Sequence, residues 1–199
     1  MTVFAGDIPY ALLSEDNAKL YIGEIIEYDR NTKTATIQPI MKIKGDVDLE
    51  VSKTINIWEN NAIQAEENHK TPTFWIAGGK PFNENEQCLV LDFGSNYDNS
   101  IFHISGDNLR TLKIEDIDPN NMWGALQTLL NEGKYEEAEN ARLEKLNRPA
   151  FVASENLPPV KKTDAPMSAH IKLWLIIGMV IVGCLAVLLL ILRRKKHMK

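Results

Sequence analysis

From Tyr21 onward, apolar and polar residues alternate with the period of a β-strand rather than that of a helix. Residues 21–28 are rich in β-branched and aromatic side chains. Residues 29–33 carry polar turn chemistry and residues 34–40 resume the strand pattern, so together they predict a β-hairpin. Val47, Leu49 and Val51, then Ile55 and Ile57, keep period two and predict one or two half-buried strands within residues 46–58. Phe74-Trp75-Ile76-Ala77 is a short apolar run closed by Gly78-Gly79. Residues 88–93 form the strongest central-strand candidate, and Ile101-Phe102-His103-Ile104 adds another. Five or six short strands within residues 21–112, with no helical pattern between them, predict a mainly β domain closed into a small barrel. Closure also removes exposed sheet edges. Residues 1–20 read as an N-terminal arm, irregular or briefly helical around Pro9 and Ala11-Leu12-Leu13.

The pattern changes at Asp118-Pro119, a helix-start signal. Residues 119–132 and 134–147 predict two short helices broken by Gly133 and stopped by Pro149, a helical hairpin over residues 118–148. The stretch 129–138 resembles part of a tetratricopeptide repeat, but a single copy does not bury a core of its own. Residues 149–170, with Pro158-Pro159, Lys161-Lys162 and Pro166, predict a polar linker.

Residues 173–192 contain no charge, and at about 1.5 Å per residue such a helix matches the roughly 30 Å hydrocarbon core of a bilayer. Trp174 suits one interface, and Arg193, Arg194, Lys195 and Lys196 suit a headgroup anchor at the other. A helix apolar on every face with a basic stop needs a bilayer, so residues 171–192 predict one transmembrane helix followed by a basic tail, 193–199. Gly178 and Gly183 are five apart and do not make a small-xxx-small pairing face. The positive-inside rule would put the tail in the cytoplasm, which requires export of residues 1–170. A late apolar segment on a folded domain instead leaves the domain where it was made and threads only the tail; that reading is preferred. The N-terminus has neither a basic n-region nor an apolar h-region, so no secretory signal is expected there.

Charge follows the same division. Residues 1–170 hold all the acidic side chains and a net charge of −11, whereas residues 171–199 carry +6. An acidic body argues against nucleic-acid binding by the folded domain, and leaves non-specific phosphate contact to the tail alone. Cys88 sits in a predicted strand and Cys184 in the apolar run, so no intramolecular disulfide is expected.

No catalytic constellation is apparent. His69, His103, His170 and His197 are scattered without ligand partners at zinc spacing, and Gly78-Gly79-Lys80 lacks the spacing and hydroxyl of a phosphate loop. Glu66-Glu67 and Glu136-Glu137 read as solvated faces, and His103 as a satisfied structural residue. Trp58, Phe74 and Trp75 read as core or protein-interface residues rather than base-stacking platforms. No enzyme activity, cofactor or metal is expected.

Within the hairpin, Tyr28-Asp29, then Thr32, then Gln38-Pro39 form a string that resembles the N-terminal OB-fold domain of phage cell-puncturing spike proteins. The run from Pro81-Phe82 through residues 87–93 resembles a later strand of the same domain, so the likeness covers about residues 20–105. It implies an OB-like barrel used as a virion building block. The family's β-helical needle is missing, and helices, a linker and an apolar run stand in its place. That combination resembles minor structural proteins of icosahedral phages with an internal membrane. The resemblance implies a virion protein linking the capsid or its vertex to that membrane, with the bilayer and capsid proteins as partners and self-association left open. A cellular tail-anchored adaptor that recruits partners to a membrane is the alternative.

Overall fold

The computed structural model describes residues 8–58, 73–94 and 99–159, all within one compact unit, residues 1–160. The long hairpin is its starting point: β1 (Lys19–Asp29) pairs antiparallel with β2 (Thr34–Lys44). Their register shifts at three places, between Leu20 and Tyr21, Ile22 and Gly23, and Ile25 and Glu27. Each irregularity adds local bend and twist, which lets the ribbon curl into a barrel. Gly23 sits on the inner side of the curve, where a Cβ would collide with Cγ2 of Ile37.

The remaining strands are β3 (Lys53–Trp58), β4 (Thr73–Ile76), β5 (Gln87–Asp92), β6 (Ser100–Ser105) and the two-residue β7 (Lys113–Ile114). β3 pairs antiparallel with β2, β4 runs parallel to both β3 and β6, and β5 pairs antiparallel with β6 and with β1. The circuit β1-β2-β3-β4-β6-β5-β1 is a closed six-stranded barrel, and β7 extends β6 outside it. The mainly β barrel expected from the alternation is therefore present.

Two cores lie on opposite faces of this sheet. The inner core is made of Tyr21, Ile25, Ile37, Ile55, Ile57, Phe74, Phe82, Val90 and Ile101, with neighbours from the same strands. The outer core begins with Leu20, Ile22, Leu89, Leu91 and Phe102. These are covered by α1 (Ile8–Ser14), α2 (Met122–Asn131) and α3 (Lys134–Lys145) through Leu12, Leu126, Leu130 and Tyr135. All six residues of β5 are buried because that strand is covered on both faces.

Several boundaries differ from the expectation. The brief helix expected around Pro9 and Ala11-Leu12-Leu13 is present as α1, but it is packed onto the body rather than held out as an arm, with Leu12 fully buried. Residues 46–52 are not strand: Gly45, at φ +85°, ends β2, and Leu49 and Val51 stay exposed in the connection. Helix α2 starts at Met122, because the Asn121 side chain accepts from the N–H groups of Trp123 and Gly124. Asp118 instead caps its own turn at Asn120. The break at Gly133 is as expected; its φ of +76° provides the left-handed step between the helices. The first part of the expected linker is docked, with Leu157 buried in the outer core. Among the described residues no helix is long and apolar enough to cross a membrane. The expected span 171–192 and tail 193–199 lie outside the described residues, as do linker residues 160–170.

Candidate functional site

The family-like residues lie along the β1–β2 hairpin, Tyr28, Asp29 and Thr32 at its turn and Gln38 and Pro39 farther up β2, and have local structural duties. Asp29 ends β1, and its Oδ1 accepts from the N–H groups of Asn31 at 2.8 Å and Thr32 at 3.3 Å. The hydrogen bonds from the Asn31 N–H and then from Thr32 hold its carboxyl below the usual range. The Thr32 hydroxyl lies 2.8 Å from that of Thr34, across the turn. Gln38 clamps the β2–β3 connection: Nε2 donates to Leu49 O at 2.6 Å, and the Ser52 hydroxyl donates to Oε1 at 2.7 Å. Pro39 lies opposite Gly23 and Tyr28 packs against the inner core. This motif sets a turn and fixes a loop.

His103 closes one end of the inner core. Its ring stacks on Phe82 at 3.8 Å between centroids, Nε2–H donates to Lys80 O at 2.9 Å, and Nδ1 lies 2.6 Å from a Glu86 carboxylate oxygen. Glu86 also accepts from the Asn83 N–H at 2.9 Å. The histidine thus ties the 80–86 loop to β6, the structural duty expected of it. Cys88 is a free, buried thiol whose ionisation burial pushes up; it is not an activated nucleophile.

The densest cluster of charge lies between α3 and the end of β2. Glu139 is wholly inaccessible and accepts from Lys42 Nζ at 2.6 Å, Arg142 Nε at 2.8 Å and the Gly45 N–H at 3.0 Å. Arg142 also reaches Asp46 at 2.9 Å, and Arg148 reaches the same carboxylate at 3.2 Å. Burial alone would raise the Glu139 pKa, but the donors from Arg142, Lys42 and Gly45 outweigh it and bring the group down to about 2. Burial lowers the Lys44 ammonium, whose proton is donated to Glu15 O at 2.6 Å. With its oxygens occupied by N–H donors, Glu139 has no role as a general base. The cluster is a clasp.

The sequence reading missed this clasp. Its available signal was Glu139-x-x-Arg142, one turn apart on α3, with Lys42, Lys44 and Asp46 crowded at a strand end. Glu136 likewise departs from expectation: it is buried and paired with Arg110 at 2.9 Å, whereas Glu137 is exposed. Phe74 is inner core, and Trp75 packs on Trp123 at 5.9 Å between centroids. Among the described residues no three His, Cys, Asp or Glu side chains are grouped to hold a metal. The expected anchor residues Trp174, Gly178, Gly183, Arg193, Arg194, Lys195 and Lys196 lie outside the described residues. Glu66, Glu67, His69, His170, Cys184 and His197 lie there too, as does the side chain of Trp58.

A scan against protein-family models gives no match, and searches of curated proteins and of solved structures give none either.

Proposed function

We propose that this chain is a non-enzymatic, membrane-tethered structural protein of a virion, its barrel facing capsid proteins and its C-terminal segment seated in an internal membrane. The observation that carries the reading is the uncharged run 173–192 with its basic stop, placed after a barrel whose interior is filled by side chains. The arrangement of titratable groups supports a scaffold, because Glu139, His103 and Glu136 each fasten one element to another. An OB-like assignment draws support from the strand order. The β1-β2-β3 meander, the β5-β6 hairpin returning to β1 and a parallel closure follow the Greek-key barrel of that fold, with β4 inserted at the closing seam. The bilayer and capsid proteins would be its partners, with the basic tail free to neutralise phosphate.

The test is protease protection on intact and membrane-stripped particles, with the barrel and the tail followed separately. Digestion of the barrel with survival of the tail in stripped vesicles is the expected result. Absence of the protein from purified particles overturns the virion reading and favours a cellular membrane adaptor.

A further inference from the structure

After α3 the chain does not leave the body. The Phe151 N–H donates to Asn140 Oδ1 at 2.7 Å, and its ring lies 4.7 Å from Lys42 Nζ. Farther on, the Leu109 N–H donates to Glu155 O at 2.8 Å and the Leu157 N–H donates to Asp107 O at 2.7 Å. These two bonds bracket Asn108 and Asn156 as an antiparallel, non-hydrogen-bonded pair. Leu157 is 8% exposed in the outer core, and Gln87 Nε2 donates to Pro158 O at 2.7 Å. Residues 150–158 are therefore held as a bound peptide is held by strand addition: main-chain bonds and one side-chain anchor.

The hold is uneven along the segment: Ala153, partly buried, packs against the outer core between the two ends. Val152 is 90% exposed, and Ser154, Glu155 and Asn156 face solvent. Ordering such a stretch opposes docking at every residue, whereas Leu157, the partly buried Ala153, the Phe151 ring against Lys42 and a few hydrogen bonds favour it. The opposing contributions are of similar size, so docked and released forms lie close in free energy.

We propose that residues 150–158 are a detachable strap that sets the length of chain between the folded body and the apolar run. This rests on the tethering reading above. Docked, the strap leaves residues 159–172, 14 residues, to bridge to the run; released, residues 150–172 are available, 23 in all. At about 3.4 Å per residue the longest reach rises from roughly 50 Å to roughly 80 Å. One chain can then serve two spacings between a protein shell and a bilayer.

Hydrogen exchange read by mass spectrometry on the full chain in detergent tests the strap. Peptides covering 150–158 are expected to exchange faster than β5 and slower than an unfolded peptide. An oxidised Asn108→Cys, Asn156→Cys pair locks the strap and slows them, since facing residues of this kind suit a disulfide. Leu157→Asp releases the strap and speeds exchange there about tenfold or more, leaving β5 unchanged. Wild-type exchange as slow as β5 overturns the proposal, and so does a lock that changes nothing. Should Leu157→Asp fail to fold, the wild-type rate and the oxidised lock decide the proposal by the same criteria.

In liposomes of neutral and anionic phospholipid, energy transfer from a donor on the barrel to labelled lipid then reads reach. It is expected to be strongest in the locked form and weakest in Leu157→Asp. Equal transfer overturns the change of reach. Failure of the wild-type chain to float with the liposomes overturns the tethering reading, while the exchange result still decides the strap.

Discussion

The inner and outer cores use the same strands and are built in different ways. Inside the barrel, Ile25, Ile37, Ile55, Ile57 and Val90 meet because alternate residues of each strand point inward. On the outside, Leu20, Ile22, Leu89, Leu91 and Phe102 face away from the barrel and are covered by α1, α2, α3 and Leu157. Among the described residues no helix covers the outer surface of β3, and Thr54 there is exposed. A barrel without its helices would present an apolar face on β1, β5 and β6. The helices therefore complete the barrel rather than accompany it.

Phe102→Ala tests that dependence with the largest expected effect. The ring lies 4.9 Å from Trp123 in an edge-on contact, so truncation opens a cavity between β6 and α2 and costs about 3–5 kcal/mol. Urea unfolding should move to lower denaturant while helical circular dichroism and tryptophan fluorescence still change together. Separate transitions would show that the helices are an accessory domain and sink the two-core description.

How much of this was legible follows the same division. Period two found inward residues such as Ile55 and Ile57 but also enlisted Leu49 and Val51, which lie exposed in a loop, and the apolar run of residues 88–93 marked a central strand. The turn chemistry of residues 29–33 was equally plain as hairpin chemistry, whereas the Gln38 clamp on the β2–β3 connection was not foreseen. The outer core was harder to see because its helices offer few apolar residues. α3 joins the body through Tyr135 and Leu143 and through buried Glu136, Glu139 and Arg142, whose charges look solvated in sequence. Arg142 is made burial-compatible by Asp46, 96 residues away, and no local pattern conveys that. Leu157 was hidden for a similar reason, a lone anchor in a polar stretch ahead of two prolines.

Glu139→Gln loosens the outer core at its clasp. The amide cannot neutralise Lys42 and Arg142, and leaving buried cations poorly paired is expected to cost about 3 kcal/mol. Acid should act on the same group. Its folded pKa of about 2 lies below the usual value of 4.5, so its contribution is complete above about pH 4.5 and is lost as pH falls towards 2. A loss on the order of 2 kcal/mol across that window is expected in wild type and should be nearly absent in Glu139→Gln. Equal acid sensitivity in both proteins would place the effect elsewhere.

Gly23→Ala probes the inner side by overpacking. A methyl group at this bulged position meets Cγ2 of Ile37, a short branched group with little freedom to withdraw. The expected cost is about 2 kcal/mol, read as a lower urea midpoint with the clasp's pH dependence unchanged.

The smallest effects come from two tyrosines, one in each core, and they should differ in sign. Tyr135, in the outer core, donates its hydroxyl to Pro9 O at 3.0 Å and so fastens α3 to α1. Tyr21, in the inner core, is fully buried, and its hydroxyl oxygen is the one buried side-chain polar atom among the described residues without a hydrogen-bond partner. Tyr135→Phe removes a bond and strands a carbonyl, so it should lower stability by about 1 kcal/mol. Tyr21→Phe keeps the ring and removes a hydroxyl that was dehydrated without compensation, so it should leave stability unchanged or raise it by up to about 1 kcal/mol. Paired thermal melts at one pH decide between them. If Tyr21→Phe is the more damaging, that hydroxyl has a partner inside the barrel, such as a buried water. The inner core would then be, like the outer one, held by polar contacts that alternation does not reveal.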